Sequence, residues 1–139
     1  MKTSSKYIVI DTNVLISAGL LPESKTAQAL ILAVSHFVIA QNAETWLELE
    51  TRIGRNKFDR YFGDTGRQRH LIEIAKYMKH IPQVSDVAVS RDATDDKFVS
   101  LAIDAGANII ISGDLDLKVI KQYEDIEILS PAQFFDRYN

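Results

Sequence analysis

The sequence predicts an α/β domain, a three-layer α/β/α sandwich around a mostly parallel sheet. Two observations carry this. Short continuous apolar runs rich in β-branched residues, such as Tyr7-Ile8-Val9-Ile10 and Asn108-Ile109-Ile110-Ile111, read as strands buried on both faces. These runs alternate with stretches of helical periodicity, the signature of helices packed on a parallel sheet.

In order along the chain, residues 7–10 form the first strand, and Asp11 caps a helix over 13–20. Leu21-Pro22 breaks the pattern, and Ser24 or Lys25 opens a helix through Ala27, Leu30, Ile31 and Val34. Residues 37–40 are the second strand, Gln41-Asn42 a turn, and 43–53 a helix interrupted by Gly54-Arg55-Asn56. A short helix is expected at 57–62, a loop at 63–66, and a helix over 67–79 with Leu71, Ile74, Ala75 and Met78 on its apolar face. Pro82 marks a break before a short extended piece at 84–89. Thr94 caps a helix containing Phe98, Leu101, Ala102 and Ala105, stopped by Gly106. A strand at 108–111, a helix at 115–122 and an edge strand at 126–129 follow. Ser130-Pro131 opens the last helix, with proline at its favoured first position.

At 139 residues, 46% of them hydrophobic, the chain reads as a single domain, 1–139, with a core of its own. It contains no repeat or dividing linker. No apolar run approaches the roughly 20 residues that span a bilayer, and no secretory leader is recognisable. The absence of cysteine fits a cytoplasmic protein and excludes disulfides, thiolate catalysis and sulfur-based zinc sites. His36, His70 and His80 lack zinc-site spacing.

The acids are the informative residues. Asp11 follows the first strand, and Asp114 and Asp116 follow the strand at 108–111. Asp95 and Asp96 stand at the start of a helical pattern. Carboxyl ends of neighbouring parallel strands open onto one crevice, so these acids are expected to meet. Carboxylates so close repel, and a hard divalent cation, Mg²⁺ or Mn²⁺, relieves the repulsion through oxygen ligands. Each acid also has a plain structural reading: Asp11 as a helix cap, Asp95 and Asp96 as helix-dipole partners, Asp114 and Asp116 as turn formers. Their conjunction favours the metal. A further acid is expected from the helix at 43–53. Trp46, Leu49 and Ile53 make its apolar arc, with Glu48 at the rim. Glu44 and Glu50 are positional rivals, and Glu48 has Arg52 at i,i+4 as an ordinary helical partner.

Charge is uneven. Between Arg52 and Lys79 eight Lys/Arg face three Asp/Glu, a segment of +5 in a chain of −3. Arg52, Arg55, Lys57 and Arg60, with Phe58, Tyr61, Phe62 and Tyr77 interleaved through the segment, suit a nucleic-acid surface; a solvated helical face is the plainer alternative.

Together these motifs resemble the PIN (PilT N-terminal) family of metal-dependent ribonucleases, and more closely its bacterial and archaeal branch of toxins from toxin–antitoxin pairs. The likeness runs through Val9-Ile10-Asp11-Thr12-Asn13-Val14-Leu15, Glu48-Leu49 with Arg55-Asn56-Lys57-Phe58, Arg91-Asp92-Ala93-Thr94-Asp95-Asp96-Lys97-Phe98, residues 107–116, and Leu129-Ser130-Pro131-Ala132-Gln133-Phe134-Phe135. The resemblance implies a PIN-like fold with Asp11, Glu48, Asp95 and Asp114 as the acidic metal site and Asp116 as a frequent fifth acid. It also implies an RNA substrate, a possible antitoxin partner and a homodimer. Thr12, Asn13, Asp96 and Ser112 would support the acids. Asn56, Arg52 and Ser112 depart from the branch's usual residues, and none of these changes removes an acid.

Other classes fit less well. An Asp-based phosphatase would carry a second acid two residues after Asp11, where Asn13 stands. A receiver domain wants paired early acids and a lysine after a late strand, while Lys118 falls inside an expected helix. An inactive PIN-like module that binds RNA or protein remains the third alternative.

Overall fold

The computed structural model describes residues 5–88, 96–114, 117 and 120–139. Its strands are β1 (Tyr7–Ile10), β2 (Val38–Gln41), β3 (Met78–His80), β4 (Ile109–Ile111), β5 (Gln122–Tyr123) and β6 (Ile126–Leu129). Its helices are α1 (Thr12–Leu20), α2 (Lys25–His36), α3 (Ala43–Ile53), α4 (Asp64–Ala75), α5 (Asp96–Ala105) and α6 (Pro131–Tyr138), with a 3₁₀ turn at Asn56–Phe58.

The six strands form one sheet in the order β3-β2-β1-β4-β6-β5, parallel throughout except for the antiparallel β5–β6 pair. Side chains alternate between two cores, one on each face. Ile8, Ile10, Ile39, Ile109 and Ile111 pack with Leu15, Leu49, Ile53 and Phe134. Val9, Ala40, Ile110 and Ile128 pack with Phe98, Val99, Leu101 and Ala102. Both faces are covered by helices, the α/β/α sandwich expected from the continuous apolar runs.

β1 is central. The chain leaves it for β2 and β3 on one side, and β4, β6 and β5 lie on the other. In such sheets the crevice at this switch of direction, outside the carboxyl ends of the strands, is where ligands bind.

Helix starts follow local chemistry. Asp11 accepts from Val14 N at 2.9 Å, and Ser24 from Ala27 N at 3.1 Å. Asn42 and Thr45 make a reciprocal capping box that starts α3, and Ser130 and Gln133 make another that starts α6. Gly106 ends α5 with φ +69°, a left-handed conformation that glycine adopts without penalty.

Several expected elements differ. The helix expected over 67–79 begins earlier, at Asp64, and stops at Ala75. Met78–His80 instead pair in parallel with β2, and Ile39 N bonds Tyr77 O at 2.9 Å. Met78 reaches the core in either conformation, so the apolar pattern did not distinguish them, and sheet pairing wins. The short helix at 57–62 is a 3₁₀ turn over Asn56–Phe58. Residues 84–88 form no strand. The strand Ile126–Leu129 is not the edge: β5, which begins at the last residue of the helix expected at 115–122, flanks it. Leu117, within the helix expected at 115–122, is helical, and Lys121 and Glu124, both at positive φ, bracket the two-residue strand that follows. The expected cap Thr94 lies outside the described residues.

Candidate metal centre

Asp11 sits at the carboxyl end of β1, where its N–H bonds Ile111 O at 3.0 Å and ties the ends of β1 and β4 together. It is 4% exposed. Its Oδ1 accepts from Val14 N, and Oδ2 accepts from the Ser112 hydroxyl. Ser112 is fully buried at the end of β4 and also accepts from Asp114 N at 2.9 Å. Burial holds the Asp11 carboxyl above its usual range. Donors from Ser112, Val14 and Gly113 oppose this, and the charge of Asp114 adds to it.

Glu48 comes from one and a half turns into α3. The Thr12 hydroxyl donates to its Oε1 at 2.5 Å, so the residue after Asp11 fixes the glutamate beside β1. Its other oxygen, Oε2, lies 2.7 Å from Lys97 Nζ and 3.3 Å from Arg52 Nη2. Arg52 also donates to Asn13 Oδ1 at 3.3 Å. Asn13 is exposed, and among the described residues it reaches Glu48 through that arginine. The rivals Glu44 and Glu50 are both exposed. Glu44 accepts instead from Gln83 Nε2 at 3.1 Å.

The structure thus brings Asp11, Thr12, Ser112, the Asp114 backbone and Glu48 to the carboxyl edge of the sheet. Asp96 is buried in the first turn of α5, which packs on β1 and α3. Asp95 and Asp116 lie outside the described residues. Among the described residues no group of three or more acids or histidines is close enough to enclose an ion. Buried Asp11 and half-buried Asp114 nonetheless form a repelling, all-oxygen pair, and that chemistry fits a hard divalent cation.

Lys97 escaped sequence reasoning. It follows two acids at the start of a helix and reads as a solvated charge, yet its side chain is only 11% exposed and engages Glu48.

The basic segment divides into two parts. Arg55, Lys57 and Arg60 are exposed, as is Tyr61. Arg67 is structural: its Nε donates to Ile53 O at 2.7 Å, capping the end of α3, and it pairs with Asp59. Phe62 is buried and stacks on His70 at 5.7 Å, and Phe58 packs against the same core. Of the interleaved aromatics only Tyr61 and Tyr77 face solvent.

A sequence profile described as PIN domain matches residues 7–116, most of the chain and every one of the acids named above. The chain belongs to the PIN domain family. PIN domains are generally nucleases that use divalent metal ions. The fold is similar to that in the crystal structure of VapBC2 from Rickettsia felis bound to a DNA fragment from their promoter. The TM-score is 0.62 at 14% identity, over 89% of this chain and 98% of that one. Identity that low shows a shared fold. No curated protein matches the sequence. No helix among the described residues is long and apolar enough to cross a membrane.

Proposed function

We propose that this PIN domain is a metal-dependent ribonuclease. Asp11, Glu48, Asp95 and Asp114, with Asp116, hold Mg²⁺ or Mn²⁺ at the carboxyl edge of β1 and β4. The observation that carries the reading is the buried Asp11 carboxylate, linked through one Ser112 hydroxyl to the backbone of a second acid, Asp114. Burying a carboxylate beside a second acid without a counter-ion costs stability.

When bound, the ion supplies positive charge that activates water and stabilises the leaving oxygen of a phosphodiester. The protein's own residues do the rest. Asp11, at the end of the rigid β1, fixes the centre of the site. Ser112 orients Asp11 and Asp114, and Thr12 orients Glu48, a supporting role that such sites depend on. Asp96 lies buried in the first turn of α5, the helix that packs on β1 and α3. Arg52, Arg55, Lys57 and Arg60 draw the RNA backbone towards the acids. Hydrolysis leaves 5′-phosphate and 3′-hydroxyl ends.

The biological setting we propose is the toxin of a toxin–antitoxin pair, acting as a homodimer in the cytoplasm with an antitoxin protein as partner. The VapBC2 likeness and the PIN membership support this setting. An inactive PIN-like module that binds RNA or protein is the second reading, and the intact acids favour the enzyme over it.

The deciding assay is cleavage of structured and unstructured RNA with Mg²⁺, Mn²⁺ or EDTA, comparing the wild type with Asp11→Asn, Glu48→Gln and Glu44→Gln. The proposal expects metal-dependent cleavage that Asp11→Asn and Glu48→Gln nearly abolish and Glu44→Gln largely keeps. RNA binding with no cleavage under any metal establishes the binding module instead.

A further inference from the structure

Two grooves share Glu44 and Lys97 as lining. The first continues along Glu48 and Arg52 to Arg55. The second, of about 840 Å³, is lined by Asp96 and by the segment 83–88. That volume lies within the roughly 300–1,000 Å³ of small-molecule sites, so a nucleobase fits. The two grooves differ in chemistry. Arg52 and Arg55 give the first a positive wall suited to phosphates. Residues 83–88 contain no lysine or arginine, and Val84 is 82% exposed. Their backbone donors are engaged elsewhere. Val84 N and Ser85 N each bond Asp104 at 2.9 Å, and Val87 N bonds Ser100 Oγ at 3.1 Å. With Ile81 N on Gln41 O at 2.7 Å, these bonds also hold the wall in place. A fixed wall with polar and apolar side chains but no cation suits bases better than phosphates.

Gln83 supplies the polar edge. Its Nε2 donates to Glu44 Oε1 at 3.1 Å, which restrains the amide. A primary amide carries two N–H donors and one carbonyl acceptor. Glu44 takes one donor. The second N–H and the oxygen make a donor–acceptor pair that complements N7 and the N6 amino group of adenine. In single-stranded RNA that edge of the base is open to a side chain.

Resting on the ribonuclease reading above, we propose that residues 83–88 are the base-reading wall of the RNA groove. Gln83 is its specificity-determining residue, and an unpaired adenine is the base it selects. Arg52 and Arg55 hold the strand by its phosphates, and a neighbouring base lies against Val84 with its edge on the Gln83 amide.

The test is binding of short single-stranded RNA probes to the purified full chain in EDTA, where metal-dependent cleavage is stopped. The probes are oligo(A), oligo(U) and an oligomer of 7-deazaadenosine, which lacks the N7 acceptor. Wild type should bind oligo(A) tighter than oligo(U) by about fivefold or more, the low end of what a two-bond amide–adenine contact supports. Gln83→Ala should bring that ratio close to one with no change in melting temperature, since Gln83 is exposed. The 7-deaza oligomer should bind wild type no better than oligo(U). Arg55→Ala should weaken both natural probes alike, because phosphate contacts carry no base information. The inference is overturned if Gln83→Ala keeps the wild-type ratio, or if the 7-deaza oligomer binds as tightly as oligo(A). A wild type that cleaves RNA with metal but binds oligo(A) and oligo(U) equally overturns this inference alone. A wild type that neither binds nor cleaves RNA removes the ribonuclease reading with it.

Discussion

The Ser112 hydroxyl donates to Asp11 Oδ2 from the end of the adjacent strand, and its own oxygen accepts the N–H of Asp114. One buried side chain therefore sets the orientation of one acid and the loop of another. Ser112→Ala removes both bonds and leaves the Asp114 N–H without this acceptor. Residues that orient metal ligands typically matter by 10–100-fold, so we expect about a tenfold or larger loss of metal-dependent cleavage. Ser112→Thr keeps the hydroxyl and retains most of the activity. Steady-state cleavage rates at saturating Mg²⁺ check this; equal rates for the alanine and threonine variants would remove Ser112 from the site.

Much of this site was legible before the structure. Asp11 and Ser112 follow apolar runs that read unmistakably as strands, and parallel neighbours must open at one edge. The apolar arc of α3 put Glu48 at its rim and left Glu44 and Glu50 as rivals, the family resemblance singled out Glu48, and the Thr12 hydroxyl holds its carboxylate beside β1. The misses share a physical cause: patterns of three or four residues that two conformations satisfy equally. Met78 serves a helix face or a strand face, and Gln122 a helix end or an edge strand. Phe62 read as part of a nucleic-acid surface, and Arg67 counted among the charges of the same basic segment, because composition does not record direction. One ring points into the core, and the guanidinium turns back onto the carbonyl of Ile53.

Arg55 lines a groove with Glu48, Arg52 and Lys97, and the exposed Lys57 and Arg60 follow it in the chain. Changing Arg55, Lys57 and Arg60 to Ala should weaken RNA binding at every sequence, because phosphate contacts carry little base information. The slope of log affinity against log salt should flatten by roughly 2, given about 0.7 per phosphate contact on single strands. Filter binding across a salt series measures it, and an unaltered slope assigns this face to solvent or to a protein partner.

Gly19 is required where α4 meets α1. A Cβ there would stand 2.6 Å from His70 Nε2. The imidazole is not free to retreat: Nε2 lies 2.9 Å from Leu15 O, and the ring stacks on Phe62. Gly19→Ala should destabilise the fold by about 1–3 kcal/mol, as overpacking does. Adding His70→Ala should recover part of that loss, making the pair non-additive. Denaturant melts of the two single variants and the double variant measure this, and simple additivity would contradict the contact.

Asp104 anchors the segment that follows Pro82. Burial raises its carboxyl, but the N–H groups of Val84 and Ser85 and the Ser85 hydroxyl outweigh that and hold it below its ordinary range. A carboxyl lowered in the folded state contributes stability above its unfolded value, and this is lost as pH falls through the folded value. Asp104→Asn should therefore melt below wild type at neutral pH, and the gap should close as pH falls below the ordinary 3.8. A gap that stays constant across that range would show that the charge of Asp104 contributes nothing.

The central claim is that the buried Asp11 carboxylate is there to hold a divalent ion, and melting temperature against Mn²⁺ concentration tests it most directly. Burial raises the Asp11 carboxyl, so in metal-free protein its charge opposes folding increasingly as pH rises through the folded value. Without metal, Asp11→Asn should melt at least as high as wild type. A ligand that binds only the folded state stabilises it by mass action, about 2.7 kcal/mol at a hundred times its Kd. Millimolar Mn²⁺ should therefore raise the melting temperature of wild type by several degrees and leave Asp11→Asn nearly unmoved. Equal shifts in the two proteins, or none in either, would contradict the account.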